Sequence, residues 1–363
     1  MVFEVPIVNI DDLLRIVVER EASDLHLKAD SPPVLRINGE LAPLDDSLGL
    51  TPEEIREAFE HVTAKDQREE FARELELDFA YSVPGLARFR VNAALQKGTI
   101  SLAFRQIYWR IPAIEELGLP EVCKVLALKP QGLILVTGPT GCGKSTTLAA
   151  MIDYLNERER RRVVTVEDPI EYLFKDKRCF ITQRELGTDT RSFASALKRV
   201  LRQDPDVILV GEMRDLETIA TALTAAETGH LVLATLHTPS ASQAIDRIID
   251  VFPPHQQGQI RAQLSITLQG VLYQALIPRA DGNGLIVAME VMIATPAIRN
   301  LIREGKTYQM PNVIQTGAQY SMQTFNQALR DLHQKGLITQ EEALTRSNNP
   351  EELRELIGER IRR

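Results

Sequence analysis

The residues most suited to chemistry lie in a glycine-rich segment, Gly138-Pro-Thr-Gly-Cys-Gly-Lys-Ser145, between an apolar run and a helical pattern. This spacing, G-x4-G-K-S between a strand and a helix, is that of a phosphate-binding loop. Gly138 and Gly143 allow successive backbone N–H groups to point at phosphate oxygens, and the next helix adds its positive end. Lys144 can reach the β- and γ-phosphates, and the Ser145 hydroxyl can bind Mg²⁺. Only roughly 0.01 such strings are expected by chance, so the segment predicts a nucleoside triphosphate site.

Acidic and imidazole side chains follow three further apolar runs, at the point where each run ends. Because the carboxyl ends of parallel strands meet at one edge of a sheet, we expect these side chains to surround the phosphate loop. One acid at a strand end is often only solvated, and a lone histidine is more often structural, but four such ends together favour a joint site. The candidates are Glu167, Asp168 and Glu171 after the first run, Glu212 after the second, His237 after the third, and His230 just before the third.

The elements that would position these residues form an α/β pattern in the second part of the chain. Short runs rich in Val, Ile and Leu alternate with helical patterns, which is typical of a parallel sheet covered on both faces. We predict strands at 133–137, 163–166, 207–210, 231–235 and 285–291.

The first part of the chain has a different pattern, which predicts a small α+β domain at 1–107. A linker is predicted at 108–112, although a surface turn with Trp109 as a packing anchor is equally compatible, and 113–363 forms the second domain. Helices are predicted at 10–21 and, in two segments, from Thr51 to about Leu75. Strands are predicted at 23–29, 34–37, 40–44, 78–83, 87–95 and 99–107, with an Asn38-Gly39 hairpin turn after the second.

Composition describes an ordinary soluble globular protein, with 44% hydrophobic and 25% charged residues. A length of 363 residues favours two domains. A net charge of −8 argues against a nucleic-acid motor. No apolar run has the ~18 residues of a membrane span, and the N-terminus lacks the features of a signal peptide. The three cysteines form no C-x-x-C pair, so neither a zinc module nor a disulfide framework is predicted, and we expect a cytosolic protein.

Four segments resemble the signatures of the type II/IV secretion ATPase superfamily: the Walker A motif at 138–147, the Asp box at 166–171, the atypical Walker B motif at 206–215 and the His box at 229–238. Ala22-Ser-Asp-Leu-His-Leu27 and the segment 297–304 further resemble the N-terminal signature and the retraction-associated segment of the PilT family of type IV pilus retraction ATPases. The extra N-terminal domain and tetracysteine module common in pilus-assembly and type II secretion relatives are not found in this sequence.

The resemblance implies a PAS-like N-terminal domain followed by a RecA-like P-loop ATPase domain with C-terminal helices. It implies a homohexamer that binds ATP and Mg²⁺ between one subunit's catalytic domain and a neighbour's N-terminal domain. The implied partners are an inner-membrane pilus platform protein and a paralogous retraction ATPase, with no nucleic acid. The implied location is cytoplasmic, peripheral at the inner-membrane base of the pilus. The expected nucleotide contacts are Gly138, Pro139, Thr140, Gly141, Cys142, Gly143, Lys144, Ser145 and Thr146.

Roles for the acidic and imidazole residues come with this resemblance. Gly211 stands where most P-loop proteins have the Asp that helps to hold Mg²⁺. We assign Glu212 to orient and deprotonate the attacking water. Ser145 is the expected Mg²⁺ ligand, and Glu167 and Asp168 are expected to adjust the coordination shell of the ion in place of the missing Asp. Glu167 and Glu212 are expected to act on the ion through water. His230 and His237 are expected to sense the γ-phosphate and signal to the neighbouring subunit.

P-loop sites also need positive charge on the transition state, often from an arginine finger. Arg90 and Arg105 lie on adjacent predicted strands of the small domain, with a spacing that resembles the family's finger pair. Strand alternation turns Arg105 away from the apolar Phe104, onto the polar face. Arg88 is a weaker candidate on the same face, and a solvated arginine with no such role is the alternative interpretation.

Three alternatives stay open at the level of sequence. Pilus assembly or type II secretion would use the same chemistry with another direction or partner. A slow nucleotide-gated switch is a second possibility, although no Asn-Lys-x-Asp guanine motif follows the loop. A DNA translocase is the third, disfavoured by charge. Cys142 stands where the family commonly has Ser or Ala; inert packing is the preferred interpretation, and a lowered thiol pKa at the helix N-terminus is the alternative.

Overall fold

The computed structural model describes residues 9–37, 39–44, 49–107 and 110–358. The chain divides into two compact units, Met1–Arg110 and Ile111–Arg363. Residues 108 and 109 of the predicted linker and Asn38 of the predicted hairpin turn lie outside the described residues. The linker and domain boundaries stay predictions.

The first unit is a six-stranded antiparallel sheet with three helices, and its strand order is β3-β2-β1-β6-β5-β4. Its elements are α1 (Ile10–Glu19), β1 (Asp24–Lys28), β2 (Val34–Ile37), β3 (Glu40–Pro43), α2 (Pro52–Val62), α3 (Lys65–Glu74), β4 (Glu76–Val83), β5 (Ala87–Gln96) and β6 (Thr99–Ile107).

Alternation along the strands separates an apolar face from a polar face of this sheet. Leu25, Phe89, Val91 and Phe104 are fully buried in one core under the helices. α2 begins with a capping box in which the Thr51 hydroxyl accepts from the Glu54 N–H and the Glu54 carboxylate accepts from the Thr51 N–H. The opposite face carries the charged residues, including Arg90 and Arg105.

The second unit is a seven-stranded sheet with helices on both faces, and its strand order is β13-β12-β7-β11-β10-β8-β9. Its first elements are α4 (Val122–Ala127), β7 (Gly132–Thr137), α5 (Lys144–Arg158), β8 (Arg162–Glu167), β9 (Phe180–Glu185), α6 (Phe193–Val200), β10 (Val207–Val210), α7 (Leu216–Glu227), β11 (Leu231–Leu236), α8 (Ala241–Asp250) and α9 (Pro254–Thr267). They are followed by β12 (Leu268–Pro278), β13 (Leu285–Ile293), α10 (Pro296–Glu304), α11 (Met310–Gln315), α12 (Phe325–Gln334), α13 (Gln340–Arg346) and α14 (Pro350–Leu356).

The apolar run of the central strand β7 is uninterrupted because both faces of the strand are buried. Leu133 and Leu135 pack into the core under α6 to α9, whereas Ile134 and Val136 pack into the opposite core with α4 and α5. Every residue of β7 is buried, as a parallel strand covered on both faces requires.

Two strands were missed by the sequence analysis, and one was given the wrong direction. β9 is a half-exposed edge strand with polar residues, so it forms no apolar run. β12 begins directly where α9 ends and contains Gln269 and Gln274, which interrupt its pattern. The predicted strand at 285–291 is β13, and it is wrong as a parallel strand because it pairs antiparallel with β12 at the edge of the sheet.

We predict that Phe104→Ala destabilises the first unit by about 3–5 kcal/mol, because the ring is fully buried and its removal leaves a cavity. Leu41→Ala is the matched control, since Leu41 is 57% exposed and should change stability by less than about 0.5 kcal/mol. Urea unfolding followed by circular dichroism measures both changes. Equal effects of the two substitutions would contradict the assignment of this core.

Candidate active site

The phosphate loop joins β7 to α5, and glycines adopt backbone angles that other residues rarely reach. Gly138, Gly141 and Gly143 have φ values of 146°, 77° and 84°. A Cβ at Gly138 would lie 2.3 Å from the carbonyl oxygen of Gln274, so any side chain there would push the loop away from β12. Gly143 is the last residue before α5, whose N-terminus therefore opens at the loop.

Lys144 is held inside the loop that it serves. Its Nζ donates to the carbonyl oxygens of Gly138 and Pro139, at 3.0 Å each. Burial lowers the pKa of Lys144 from its ordinary value. The ammonium group is therefore fixed at the mouth of the loop, where a phosphate chain would meet it.

A line of polar groups connects Lys144 to Glu212. Lys144 Nζ lies 3.4 Å from His237 Nδ1, and His237 Nε2 lies 3.4 Å from Glu212 Oε1. Because an ammonium group can only donate, Nδ1 is the accepting nitrogen, and in the neutral ring Nε2 then carries the proton toward Glu212. Arg214 Nη2 donates to Glu212 Oε2 at 2.6 Å.

The pKa of Glu212 reflects two opposing effects. Burial alone would raise the pKa, but the hydrogen bond and charge of Arg214, together with His237 and Lys144, outweigh it and hold the pKa below its ordinary value. Glu212 is therefore ionised at neutral pH, which is the form that can orient and accept a proton from water.

Glu167 lies in a contrasting environment at the end of β8. It is 8% exposed, and it accepts from the Thr165 hydroxyl at 2.6 Å and from Gln183 Nε2 at 3.2 Å. Burial raises its pKa to about 7, although both hydrogen bonds act in the opposite direction. The neighbouring Asp168 is exposed and lines the same cavity.

Gly211, the residue that follows β10, is closely packed against the neighbouring strand. A Cβ at Gly211 would lie 3.2 Å from both the Glu167 Cα and the Val166 carbonyl oxygen of the neighbouring strand. The Gly211 N–H donates to that oxygen at 2.8 Å, and the Thr235 hydroxyl donates to the Gly211 carbonyl. The acidic side chain stands one residue later, at Glu212.

These groups surround one cavity of about 290 Å³. It gathers the loop, both acidic strand ends and one of the two histidines into a single site. Of the predicted residues, the lining contains Thr140, Gly141, Gly143, Lys144, Ser145, Glu167, Asp168, Glu171, Glu212 and His237. No cluster of three or more His, Cys, Asp or Glu side chains able to hold a metal occurs in the described part of the chain. The Ser145 hydroxyl and the acidic side chains of the lining nevertheless offer the oxygen donors that Mg²⁺ prefers, so they fit an ion shared with phosphates.

A second cavity, of about 510 Å³, opens on the other side of the phosphate loop. Cys142, Gly143 and Thr146 form its wall toward the loop. The rest of the lining joins an apolar wall to polar and charged side chains. The apolar residues are Leu117, Leu119, Leu276, Leu285, Ile286 and Val287, and the polar or charged ones are Glu115, Glu116, Thr147, Gln274 and Arg279. The sequence analysis did not identify it, because its walls come from the start of the unit and from the β12–β13 pair.

The structure does not bring His230 to the first cavity. His230 immediately precedes β11 and His237 immediately follows it, so about 20 Å of strand separates them. The His230 Nδ1 lies 3.0 Å from the Ala225 carbonyl oxygen and 3.2 Å from the Thr228 hydroxyl, at the end of α7. The predicted role of His230 in signalling to a neighbour stays a prediction, and it does not act at this cavity within one chain.

The two predicted finger arginines lie together on the polar face of the first unit. Arg90 on β5 and Arg105 on β6 are directly opposite in the strand register. Arg105 Nε donates to Asp24 Oδ1 at 2.8 Å, and Arg90 lies 3.9 Å from Asp78. Both guanidinium groups are largely exposed, with relative areas of 69% for Arg105 and 46% for Arg90. They are available to an anion presented to this face.

Several residues that shape the site were not singled out from the sequence. Thr137, at the end of β7, accepts from the Thr238 N–H at 2.9 Å and donates to the Leu236 carbonyl, so the phosphate loop and the His237 segment are tied together. Arg214 lies within the recognised Walker B segment and pairs with Glu212. Gln274 contacts the phosphate loop from β12, and its only signal was a polar residue within an apolar run.

Cys142 is buried, and this burial raises its thiol pKa. The alternative of a lowered pKa at the helix N-terminus is therefore wrong. The nearby Lys144 charge opposes the shift without reversing it.

We predict that Glu167→Gln flattens the pH dependence of stability in the nucleotide-free protein. The folded pKa of about 7 lies above the ordinary value of 4.5, so the folded state binds the proton more tightly. The stability that Glu167 contributes is then present below pH 4.5 and lost as the pH rises to 7, by about 3 kcal/mol. Urea unfolding of wild type and variant across this range measures the difference, and parallel curves would contradict the shift.

The comparisons with known proteins agree with this geometry. The family model "Type II/IV secretion system protein" matches residues 113–345. The Pseudomonas aeruginosa type IV pilus retraction ATPase PilT is 49% identical over 343 residues, which cover 94% of this chain and 99% of that protein. The type IV pilus ATPase PilU of the same organism is 44% identical, over 96% of this chain and 91% of its own length.

A solved structure extends the agreement to the fold. The crystal structure of the pilus retraction motor PilT with bound ADP superimposes with a TM-score of 0.90 at 47% identity, covering 96% of this chain and 99% of that one. The predicted fold class, a small strand-rich domain followed by a larger α/β ATPase domain, is thereby confirmed. The chain belongs to the type II/IV secretion system protein family, and within that family it is an ATP-hydrolysing enzyme similar to PilT over 94% of its length.

Proposed function

We propose that this chain is the motor ATPase of type IV pilus retraction and works as a homohexamer. Each ATP would lie between the second unit of one subunit and the first unit of its neighbour. The observation that carries the proposal is the division of catalytic groups between the units. The phosphate loop, Glu212 and His237 surround a cavity in the second unit, whereas the exposed arginine pair belongs to the first.

The charges of the cavity support a finger from outside it. Among the described residues of its lining, the Lys and Arg side chains are Lys144 and Arg214, and Arg214 is paired with Glu212. An added arginine is worth ~10³ to 10⁵ in the rate of phosphoryl transfer. Arg105 is the first candidate and Arg90 the second, because they lie side by side. Asp24 would orient Arg105 while leaving most of its guanidinium exposed.

Glu212 would orient the attacking water and accept its proton. His237 lies between Glu212 and Lys144, so a change at the γ-phosphate that moves Lys144 is passed to the residue that positions the water. Ser145 would hold Mg²⁺, with Glu167, Asp168 and Glu212 acting through water. When bound, the ion would neutralise charge on the phosphate oxygens.

The second cavity would accept the nucleoside. It lies beside Thr146, on the opposite side of the loop from Glu212, so a nucleotide with its terminal phosphate at Glu212 would extend its base in this direction. An apolar wall beside polar groups that can bind a sugar or base is typical of the site of such a ligand. Arg279 is part of the lining and would contact the ribose or base.

Coupling to the pilus would involve α10, the segment similar to the retraction-associated segment of the family. Ile298 and Ile302 bury one face of α10, and Arg299 donates to the Ala294 carbonyl at 2.9 Å and to the Ser265 carbonyl at 2.6 Å. α10 is therefore fixed to the end of α9 and to the segment that follows β13, and we expect it to move together with the sheet. Its exposed face would transmit this motion to an inner-membrane platform protein.

Association with the membrane would then be peripheral and mediated by partners. In the described part of the chain, no helix has the length and apolar character to cross a bilayer. A paralogue similar to PilU would be a further partner of this motor.

We predict that Glu212→Gln lowers the ATP hydrolysis rate at least about 100-fold, the usual contribution of a general base, while ATP binding stays within about threefold. Glu217→Gln is the matched control, because Glu217 is exposed and paired with Lys198. Steady-state turnover and nucleotide titration measure the two effects. Full activity of Glu212→Gln would contradict the assignment of this residue.

The cellular test uses a host whose own pilus retraction ATPase has been deleted. Wild type and Glu217→Gln should restore twitching, whereas Glu212→Gln should not. Active ATP hydrolysis without restored twitching, together with restored piliation in a host that lacks its assembly ATPase, would contradict retraction as the direction of work.

A further inference from the structure

The strand behind the phosphate loop contributes one polar side chain to it. β12 lies beside β7, with Tyr273 opposite Thr137, and Gln274 follows at the level of the loop. Gln274 is 1% exposed although its side chain is a polar amide. A buried amide requires hydrogen-bond partners, and both partners of Gln274 belong to the loop and the helix that follows it.

The amide group bridges two defined points. Gln274 Nε2 donates to the carbonyl oxygen of Cys142 at 2.6 Å, and Gln274 Oε1 accepts from the hydroxyl of Thr147 at 2.8 Å. The opposite orientation of the amide would place two oxygens against each other at Cys142, so the partners determine which atom is nitrogen. One planar group therefore fixes a loop carbonyl relative to the first turn of α5.

Fixing this carbonyl also fixes the next N–H group. The peptide between Cys142 and Gly143 is trans, so its C=O and N–H bonds point in opposite directions. When the carbonyl points at Gln274, the Gly143 N–H points away from β12. Gly143 lines the first cavity next to Lys144 and Ser145, and it also lines the second cavity beside Gln274. With the carbonyl directed to Gln274, the N–H is directed to the side of the first cavity.

We propose that Gln274 is a positioning residue for nucleotide binding, which acts by aiming the Gly143 N–H at the phosphates. Its ligand class is the nucleoside di- and triphosphates. The inference rests on the nucleotide site proposed above and deepens it. It differs from a purely structural role, because Gln274 would then set the affinity for nucleotide and not only the stability of the fold.

The experiment compares Gln274→Met with wild type in the full-length chain. Met has a similar length and removes both hydrogen bonds. We expect the KM for ATP and the Kd for Mg-ADP to rise about tenfold, the effect of one lost hydrogen bond. The kcat at saturating ATP should fall by less than about twofold, because the N–H binds the phosphates before and during the reaction alike.

Asn326→Leu is the matched control for the loss of a buried amide. Asn326 on α12 is 4% exposed, and its amide donates to Asn349 and Glu352 and accepts from Ser347, with no contact to the phosphate loop. Asn326→Leu should lower the midpoint of urea unfolding without changing the KM for ATP. Wild-type KM in Gln274→Met, or a reduced kcat with unchanged KM, would overturn the inference.

Gln274→Glu serves where the Met variant does not fold. It keeps the length of the side chain and an acceptor for Thr147, but once its carboxyl is ionised it turns an unprotonated oxygen toward the Cys142 carbonyl. Burial raises the pKa of such a carboxyl, so KM is measured from pH 7 to pH 9 in parallel with wild type. We expect the KM of Gln274→Glu relative to wild type to rise with pH as the carboxyl ionises, and a wild-type KM across this range would overturn the inference. If the wild type itself failed to hydrolyse ATP, the proposed function would fail; a loss confined to this inference would leave wild-type turnover intact.

Discussion

The close approach of the phosphate loop to β12 is the constraint on which the rest of the site depends. The backbone of Gln274 leaves no room for a side chain at position 138. Because this residue is glycine, the loop can lie against β12 and curl around Lys144. The two apolar cores on either side of β7 hold the strand that delivers the loop. Packing in the sheet thus determines where the N–H groups and the ammonium group lie before any nucleotide binds.

Electrostatics then separate the acidic residues into two classes. Glu212 is surrounded by Arg214, His237 and Lys144, which keep it ionised, whereas Glu167 is buried beside neutral hydrogen-bond partners and its pKa is raised. Two carboxylates that line one cavity thereby have pKa values shifted in opposite directions. This arrangement fits Glu212 as the general base and Glu167 as a residue that acts on Mg²⁺ through a water molecule.

The sequence predicted the parts of the fold that depend on local patterns. Continuous apolar runs located β7, β8, β10 and β11, and the residues at their carboxyl ends came together as expected. β12 was missed because Gln274 breaks its apolar pattern, and that same residue is the one that contacts the phosphate loop. A buried polar residue that hydrogen-bonds to a functional loop interrupts the apolar pattern of its strand, and its role becomes evident only from its partners in the structure.

Other features depended on geometry that no pattern contains. His230 and His237 lie at opposite ends of β11, so only His237 reaches the first cavity. The tight packing at Gly211, where a Cβ would lie 3.2 Å from the Glu167 Cα, arises from a neighbouring strand that is distant in sequence. The lining residues of the second cavity are spread along the chain between positions 115 and 287, and only the folded domain brings them together.

The central claim is that each active site joins groups from two subunits, and mixing two inactive variants tests it most directly. Glu212→Gln and Arg105→Ala should each be nearly inactive alone. In a ring with one kind of head-to-tail interface, random mixing leaves about a quarter of the interfaces with both residues intact. The account predicts partial recovery of ATP turnover in the mixture. No recovery, with subunit exchange confirmed by mass spectrometry, would show that the two residues serve one site within a subunit and would contradict the account.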